Sequence, residues 1–137
     1  MTTIMKMTED ETIELLMKHL VEKGWQIDSH CLGQTKGCDI VASKDGNQMY
    51  IEAKGAKASD NAPTKKRQYF DSGQIKTHFG KAIVKTLELK SLYPNARFAI
   101  AHPDDISIRK AIGHLTPFLS ALGIIHYWVS ADGDVLL

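Results

Sequence analysis

Cys38-Asp39-Ile40-Val41-Ala42-Ser43-Lys44-Asp45-Gly46-Asn47-Gln48-Met49-Tyr50-Ile51-Glu52-Ala53-Lys54 is the stretch on which the reading of the whole chain turns. Two runs suited to extended backbone flank Asp45-Gly46, and Asp-Gly between such runs is the strongest short-range signal for a two-residue hairpin turn. A reversal at residues 45 and 46 places Asp39 directly across from Glu52. Directly opposed side chains share one face, with Cβ atoms about 4.5–5.5 Å apart. Lys54 lies two residues beyond Glu52 and projects from that same face. The other face receives Ile40, Ala42, Met49, Ile51 and Ala53, all apolar and suited to a core.

Two carboxylates brought together repel unless something positive lies between them. A hard divalent cation such as Mg²⁺ does this with oxygen ligands while keeping several waters. Bound water becomes more acidic, and a nearby ammonium can orient it. Phosphodiester hydrolysis calls for an activated water, a Lewis acid and a positive group near the developing charge. Asp39, Glu52 and Lys54 are therefore the candidate catalytic set. The bland alternative is a surface hairpin on which Glu52 and Lys54 are mere neighbours and Asp39 is unrelated.

Working outward, Thr8 and Glu11 have capping-box spacing ahead of Ile13, Leu16, Met17 and Leu20, and Gly24 supplies a stop, so a helix is predicted over about 9–23. Residues 25–32 read as extended, 33–37 as a loop and 55–70 as a mobile loop. Asp71 or Ser72 can cap a second helix over about 73–91, with Ile75, Phe79, Ala82, Ile83 and Leu87 available for burial. A short strand at 97–101 follows. Residues 104–122 read as helical in two pieces because Pro117 interrupts them. A strand at 124–129 comes next, and Asp132-Gly133 can turn the chain into a last short one. This order implies an α/β protein with a central mixed β-sheet flanked by helices.

With 137 residues, 43% of them hydrophobic and 24% charged, the chain suits one globular domain. No apolar run approaches the roughly 20 residues of a membrane-spanning helix. Met1–Thr12 lacks the apolar segment of a signal peptide, so a cytoplasmic protein away from membranes is expected. Cys31 and Cys38 form no disulfide framework, and His30 beside Cys31 lacks the pairings of a zinc site. The formal net charge is only +1, but Lys54, Lys57, Lys65, Lys66, Arg67, Lys76, Lys81 and Lys85 crowd the middle of the chain. Such a stretch can draw a polyanion to one face, or can simply be a solvated surface.

Gly37-Cys38-Asp39-Ile40-Val41 and Tyr50-Ile51-Glu52-Ala53-Lys54-Gly55, preceded by a helix ending Glu22-Lys23-Gly24-Trp25, resemble the PD-(D/E)xK nuclease superfamily, which includes restriction enzymes and Holliday-junction resolvases. The resemblance covers roughly residues 9–90. It implies a restriction-endonuclease-like core and a magnesium-dependent endonuclease acting on DNA, with Mn²⁺ as a substitute. Asp39, Glu52 and the main-chain carbonyl of Ala53 would hold the metal, and Lys54 would position the water. Two departures stand out. Cys38 replaces the proline, and Ile13 occupies the helix-one position where many relatives carry a glutamate. Glu14, next to it, is the chosen substitute, over Asp10 and Glu11.

Some branches carry a glutamine just after the E-x-K strand, which suggests Gln74 as a contact to phosphate or water. Lys57, Lys65, Lys66, Arg67, Lys76 and Lys81 would clamp phosphates, giving salt-dependent affinity rather than sequence selection. His78 shares that neighbourhood, whereas His102, His114 and His126 read as ordinary structural histidines. DNA is the expected partner, RNA stays open, and a homodimer would let two sites address two strands. A catalytically silent nucleic-acid binder of the same fold is the alternative.

Overall fold

The computed structural model of the protein describes residues 6–32, 37–58 and 69–137. Helix α1 (Glu9–Glu22) starts at the expected capping box: Glu11 N–H donates to Thr8 Oγ1 at 3.2 Å, and Thr8 N–H donates to Glu11 Oε1 at 3.0 Å. Strand β1 (Gln26–His30) leads to the hairpin of β2 (Ile40–Lys44) and β3 (Asn47–Ala53). Asp45 and Gly46 have φ of 51° and 81°, the paired positive values of a type I′ turn. Lys44 faces Asn47 and Ile40 faces Ile51, so the expected register holds.

Helix α2 (Ser72–Leu92) opens on Asp71, whose carboxylate accepts from Gln74 N–H while Gln74 Oε1 accepts from Asp71 N–H. Strand β4 (Arg97–Pro103), α3 (Ile106–Ile112), a 3₁₀ helix (Thr116–Leu122), β5 (Ile124–Val129) and β6 (Val135–Leu136) complete the chain. The break near Pro117 is present. However, the first piece starts at Ile106, and the second winds as 3₁₀ turns with Pro117 in its first turn.

The six strands lie in one sheet in the order β1-β2-β3-β4-β5-β6. The β3–β4 and β4–β5 pairs are parallel, and the other pairs are antiparallel. This is the mixed sheet flanked by helices that the sequence predicts. Helix α1 covers one face, where Ile13, Leu16 and Leu20 pack with Ile40, Ala42, Met49, Ile51 and Ala53. Helices α2 and α3 cover the other, where Ile75, Phe79, Ala82 and Ile108 pack with Phe98, Ile100 and Trp128.

The hairpin's polar face is therefore not open to solvent, because α2 lies over it. Residue 86 rather than 87 completes the buried stripe of α2: Thr86 is buried, with its hydroxyl donating to Ala82 O at 2.7 Å, and Leu87 is exposed. Returning the hydroxyl to the preceding turn lets a polar residue occupy a core position. Among the described residues no helix is long and apolar enough to cross a membrane.

Candidate active site

Parallel pairing fixes three rows of side chains on the α2-covered face. Tyr50, Phe98 and Ile124 form one row, and Glu52, Ile100 and His126 form the next. Lys54 N–H donates to Ala101 O at 2.9 Å, which continues the β3–β4 ladder one step and sets Lys54 beside His102, itself paired with Trp128. Glu52 and Lys54 thus share the face expected from strand alternation. They sit where β3 ends, at the carboxyl edge of parallel strands, a common place for α/β sites.

Asp39 precedes β2, and its Oδ2 accepts from Ala53 N–H at 2.8 Å. Burial, followed by the charge of Glu52, pushes the Asp39 pKa up to about 7. Glu52 itself is only 3% exposed. The two acids therefore form a crowded, poorly hydrated pair. Cys38, immediately before Asp39, donates its thiol toward Ile40 O and Ile51 O. Burial above all raises its pKa to about 12, which makes it an inert structural thiol.

Two groups that the sequence did not assign to the site complete the surroundings. Lys85 Nζ of α2 lies 3.1 Å from Glu52 Oε1 and donates to Gly37 O at 2.6 Å. The Glu52 contact is close but poorly aligned, and Oε1 stays buried without a directed hydrogen bond. Burial lowers the Lys85 pKa, but Glu52 and then Asp39 outweigh it and hold the ammonium above its usual value. From α1 the acid that reaches the site is Glu9. Burial raises its pKa, Lys54 opposes this, and Glu52 adds to it.

The expectation for Glu14 is corrected: its side chain is exposed. At about 100° per residue, Glu9 shares the stripe of Ile13, Leu16 and Leu20, whereas Glu14 is turned well off it. Gly55 makes the approach of β3 to α1 possible, because a Cβ there would collide with the backbone of Glu9 and Thr8. Ala56 N–H then donates to Met7 O at 2.7 Å, which ties the end of the hairpin arm to the helix start.

Along α2, Gln74, His78, Lys81 and Lys85 lie on one stripe beside the buried Ile75, Phe79 and Ala82. Burial, then Lys54 and Lys81, lowers the His78 pKa, so this stripe runs along the site. Gln74 belongs to it, although its side-chain oxygen is engaged at the helix cap. Lys76, grouped with these residues in the sequence, points to the far side of α2 and is exposed. Lys57 forms an isolated bridge with Tyr69. Lys65, Lys66 and Arg67 lie outside the described residues.

The site as a whole offers Asp39, Glu52 and the Ala53 carbonyl as oxygen donors, with Lys54 and Lys85 as cations. Among the described residues no three His, Cys, Asp or Glu side chains gather into a metal-holding group. A site of two carboxylates and one carbonyl with an unsatisfied buried oxygen fits Mg²⁺, which keeps much of its own water, better than zinc or calcium.

Fold and site together define an α/β protein with an acid–acid–lysine hairpin at the carboxyl edge of a mixed sheet. No protein-family model matches the chain, and no curated protein matches it. Solved structures do. An fdxN element excision controlling factor protein from Anabaena variabilis superposes with a TM-score of 0.60 at 17% identity, covering 93% of this chain and 97% of that one. A XisH family protein from Nostoc punctiforme gives 0.59 at 15% identity, covering 93% and 98%. At these identities the likeness establishes a common fold.

Proposed function

We propose that this chain is a magnesium-dependent endonuclease acting on DNA. The observation that carries the reading is the half-buried Asp39, whose carboxyl is pushed up by burial and then by the charge of the buried Glu52, on the hairpin arm that also bears Lys54. A fold under no functional demand gains nothing from such a pair, since apolar residues of similar volume are often equally stable or better. Asp39, Glu52 and the Ala53 carbonyl would hold Mg²⁺, which when bound supplies Lewis acidity to a phosphoryl oxygen and lowers the pKa of water. Lys54 orients the attacking water and offsets charge at the phosphate. His78, Lys81 and the basic residues Lys57, Lys65, Lys66 and Arg67 draw in the phosphate backbone. One neighbour's name speaks of controlling the excision of an element, a task in keeping with a nucleic-acid-directed site.

A second reading follows from Lys85. Its ammonium already neutralises Glu52, so the same hairpin could serve as a structural core of a nucleic-acid binder without cleavage. Incubation with supercoiled, single-stranded and branched DNA in Mg²⁺, Mn²⁺ or EDTA separates the two. Cleavage that needs metal and is abolished by Asp39→Ala, Glu52→Ala or Lys54→Ala supports the nuclease. Salt-sensitive binding without cleavage supports the binder.

A further inference from the structure

His102 and His126 lie side by side on β4 and β5, with His102 Nδ1 and His126 Nε2 2.9 Å apart. His102 is 1% exposed and His126 9%, and the outer nitrogen of each, His102 Nε2 and His126 Nδ1, is buried without a partner. Such a contact requires one ring to donate and the other to accept, so each ring's tautomer depends on its neighbour's. Burial keeps both rings neutral: it lowers the His126 pKa to about 4, with Arg109 adding to the effect, and carries His102 well below the usual range.

The two nitrogens of an imidazole point in widely divergent directions. With Nδ1 turned to β5, His102 Nε2 heads back toward β3 and α2. From β3 comes Lys54, the next step of the ladder; from α2 come Phe79, packed edge-on against the His102 ring at 5.6 Å, and His78. An ammonium has donors only, so the nitrogen that faces it is stabilised by presenting a lone pair.

We infer that His102 is a positioning residue for Lys54: its buried Nε2, engaged by no other group, keeps a lone pair for the ammonium to approach, and the hydrogen bond from its Nδ1–H to His126 fixes that tautomer. His126 then carries its proton on the buried Nδ1, and its ring lines a cavity of about 700 Å³ with Arg109 and Trp128. The pair works as a two-ring brace behind the lysine, by the logic through which outer hydrogen bonds orient the groups that do chemistry. This inference rests on the nuclease reading for its purpose, but not for its geometry.

Long-range ¹H–¹⁵N spectra of the full chain labelled at histidine test the geometry without any activity. His102 should show a protonated Nδ1 and an unprotonated Nε2. Lys54→Met should move the Nε2 resonance, while Lys18→Met on the exposed face of α1 should not. A protonated His102 Nε2, or an Nε2 indifferent to Lys54→Met but moved by His78→Gln, overturns the inference.

Cleavage kinetics test the purpose. His102→Leu should lower kcat about tenfold or more with KM steady, as expected when a reacting group loses its alignment. His102→Gln, which keeps an acceptor, should recover most of the rate, and equal loss in both variants refutes the positioning role. A wild-type chain that cuts no DNA defeats the nuclease reading alone, and the spectra still decide the brace.

Discussion

Replacing Asp39 with Asn removes one charge from the acid pair and leaves an amide oxygen able to accept from Ala53 N–H, as Asp39 Oδ2 does at 2.8 Å. The carboxyl has a pKa of about 7 in the folded chain against a reference value of 3.8. Between those values the native state binds a proton that the unfolded state has released, so stability falls as pH rises through this window and stays low above it. Integrating from pH 5 to pH 8 gives a loss on the order of 2–3 kcal/mol from this group. Asp39→Asn should therefore gain on the wild type by about that amount over the same interval, while contributions from titrating groups remote from the pair cancel in the comparison.

Urea unfolding followed by the fluorescence of Trp25 and Trp128 at both pH values measures it. Mg²⁺ at a hundredfold excess over its Kd should restore about 2.7 kcal/mol to the wild type at pH 8 and far less to the variant. A variant that is no more stable than the wild type at pH 8, with the gap unchanged between pH 5 and pH 8, refutes the claim that burial and the charge of Glu52 hold the Asp39 carboxyl above its ordinary range.

Lys85→Met strips the cation from Glu52. Because one partner is half-exposed, the loss in urea unfolding should be about 1–2 kcal/mol, between the values for surface and buried pairs. In calorimetry the same variant should bind Mg²⁺ more tightly, since a competitor has gone. Gly55→Ala should cost about 1–3 kcal/mol through overpacking against the start of α1, with a matching fall in any cleavage rate. His126 should remain neutral at pH 5.5 and titrate near 4 in NMR of its ring proton. Its folded pKa lies below the unfolded value of 6.5, so the neutral ring's contribution to stability is lost as pH falls from 6.5 toward 4.

The hairpin was legible because its information is local: Asp45-Gly46 dictates the turn, the turn dictates the register, and the register brings Asp39 and Glu52 together. Capping boxes at Thr8 and Asp71 are legible for the same reason, since their partners lie three residues away. Glu9 was missed because the resemblance marks the position of Ile13, and Glu9 lies a full helical turn before it. Its stripe with Ile13 and the Gly in Lys54-Gly55 were the available signals. Lys85 depends on how α2 crosses the sheet, and the pairing of His102 with His126 depends on a parallel register that no turn announces. Lys76 and Glu14 failed because closeness in sequence was read as closeness in space, while a helix turns adjacent residues to different sides.

The spatial order of the six strands repeats their order along the chain. During synthesis each new strand can therefore dock on an edge completed just before it, and no later segment has to be threaded between earlier ones. The exception in timing is β3: once the hairpin forms, its outer edge stays unpaired until α2 and β4 have both emerged. For that interval the backbone groups of Tyr50, Glu52 and Lys54 lie on an open edge that invites pairing with another copy. Truncated chains ending between residues 60 and 96 should thus be the species most prone to self-association, and the charge of Glu52 and Lys54 on that edge gives the growing protein some protection before it gives it any chemistry.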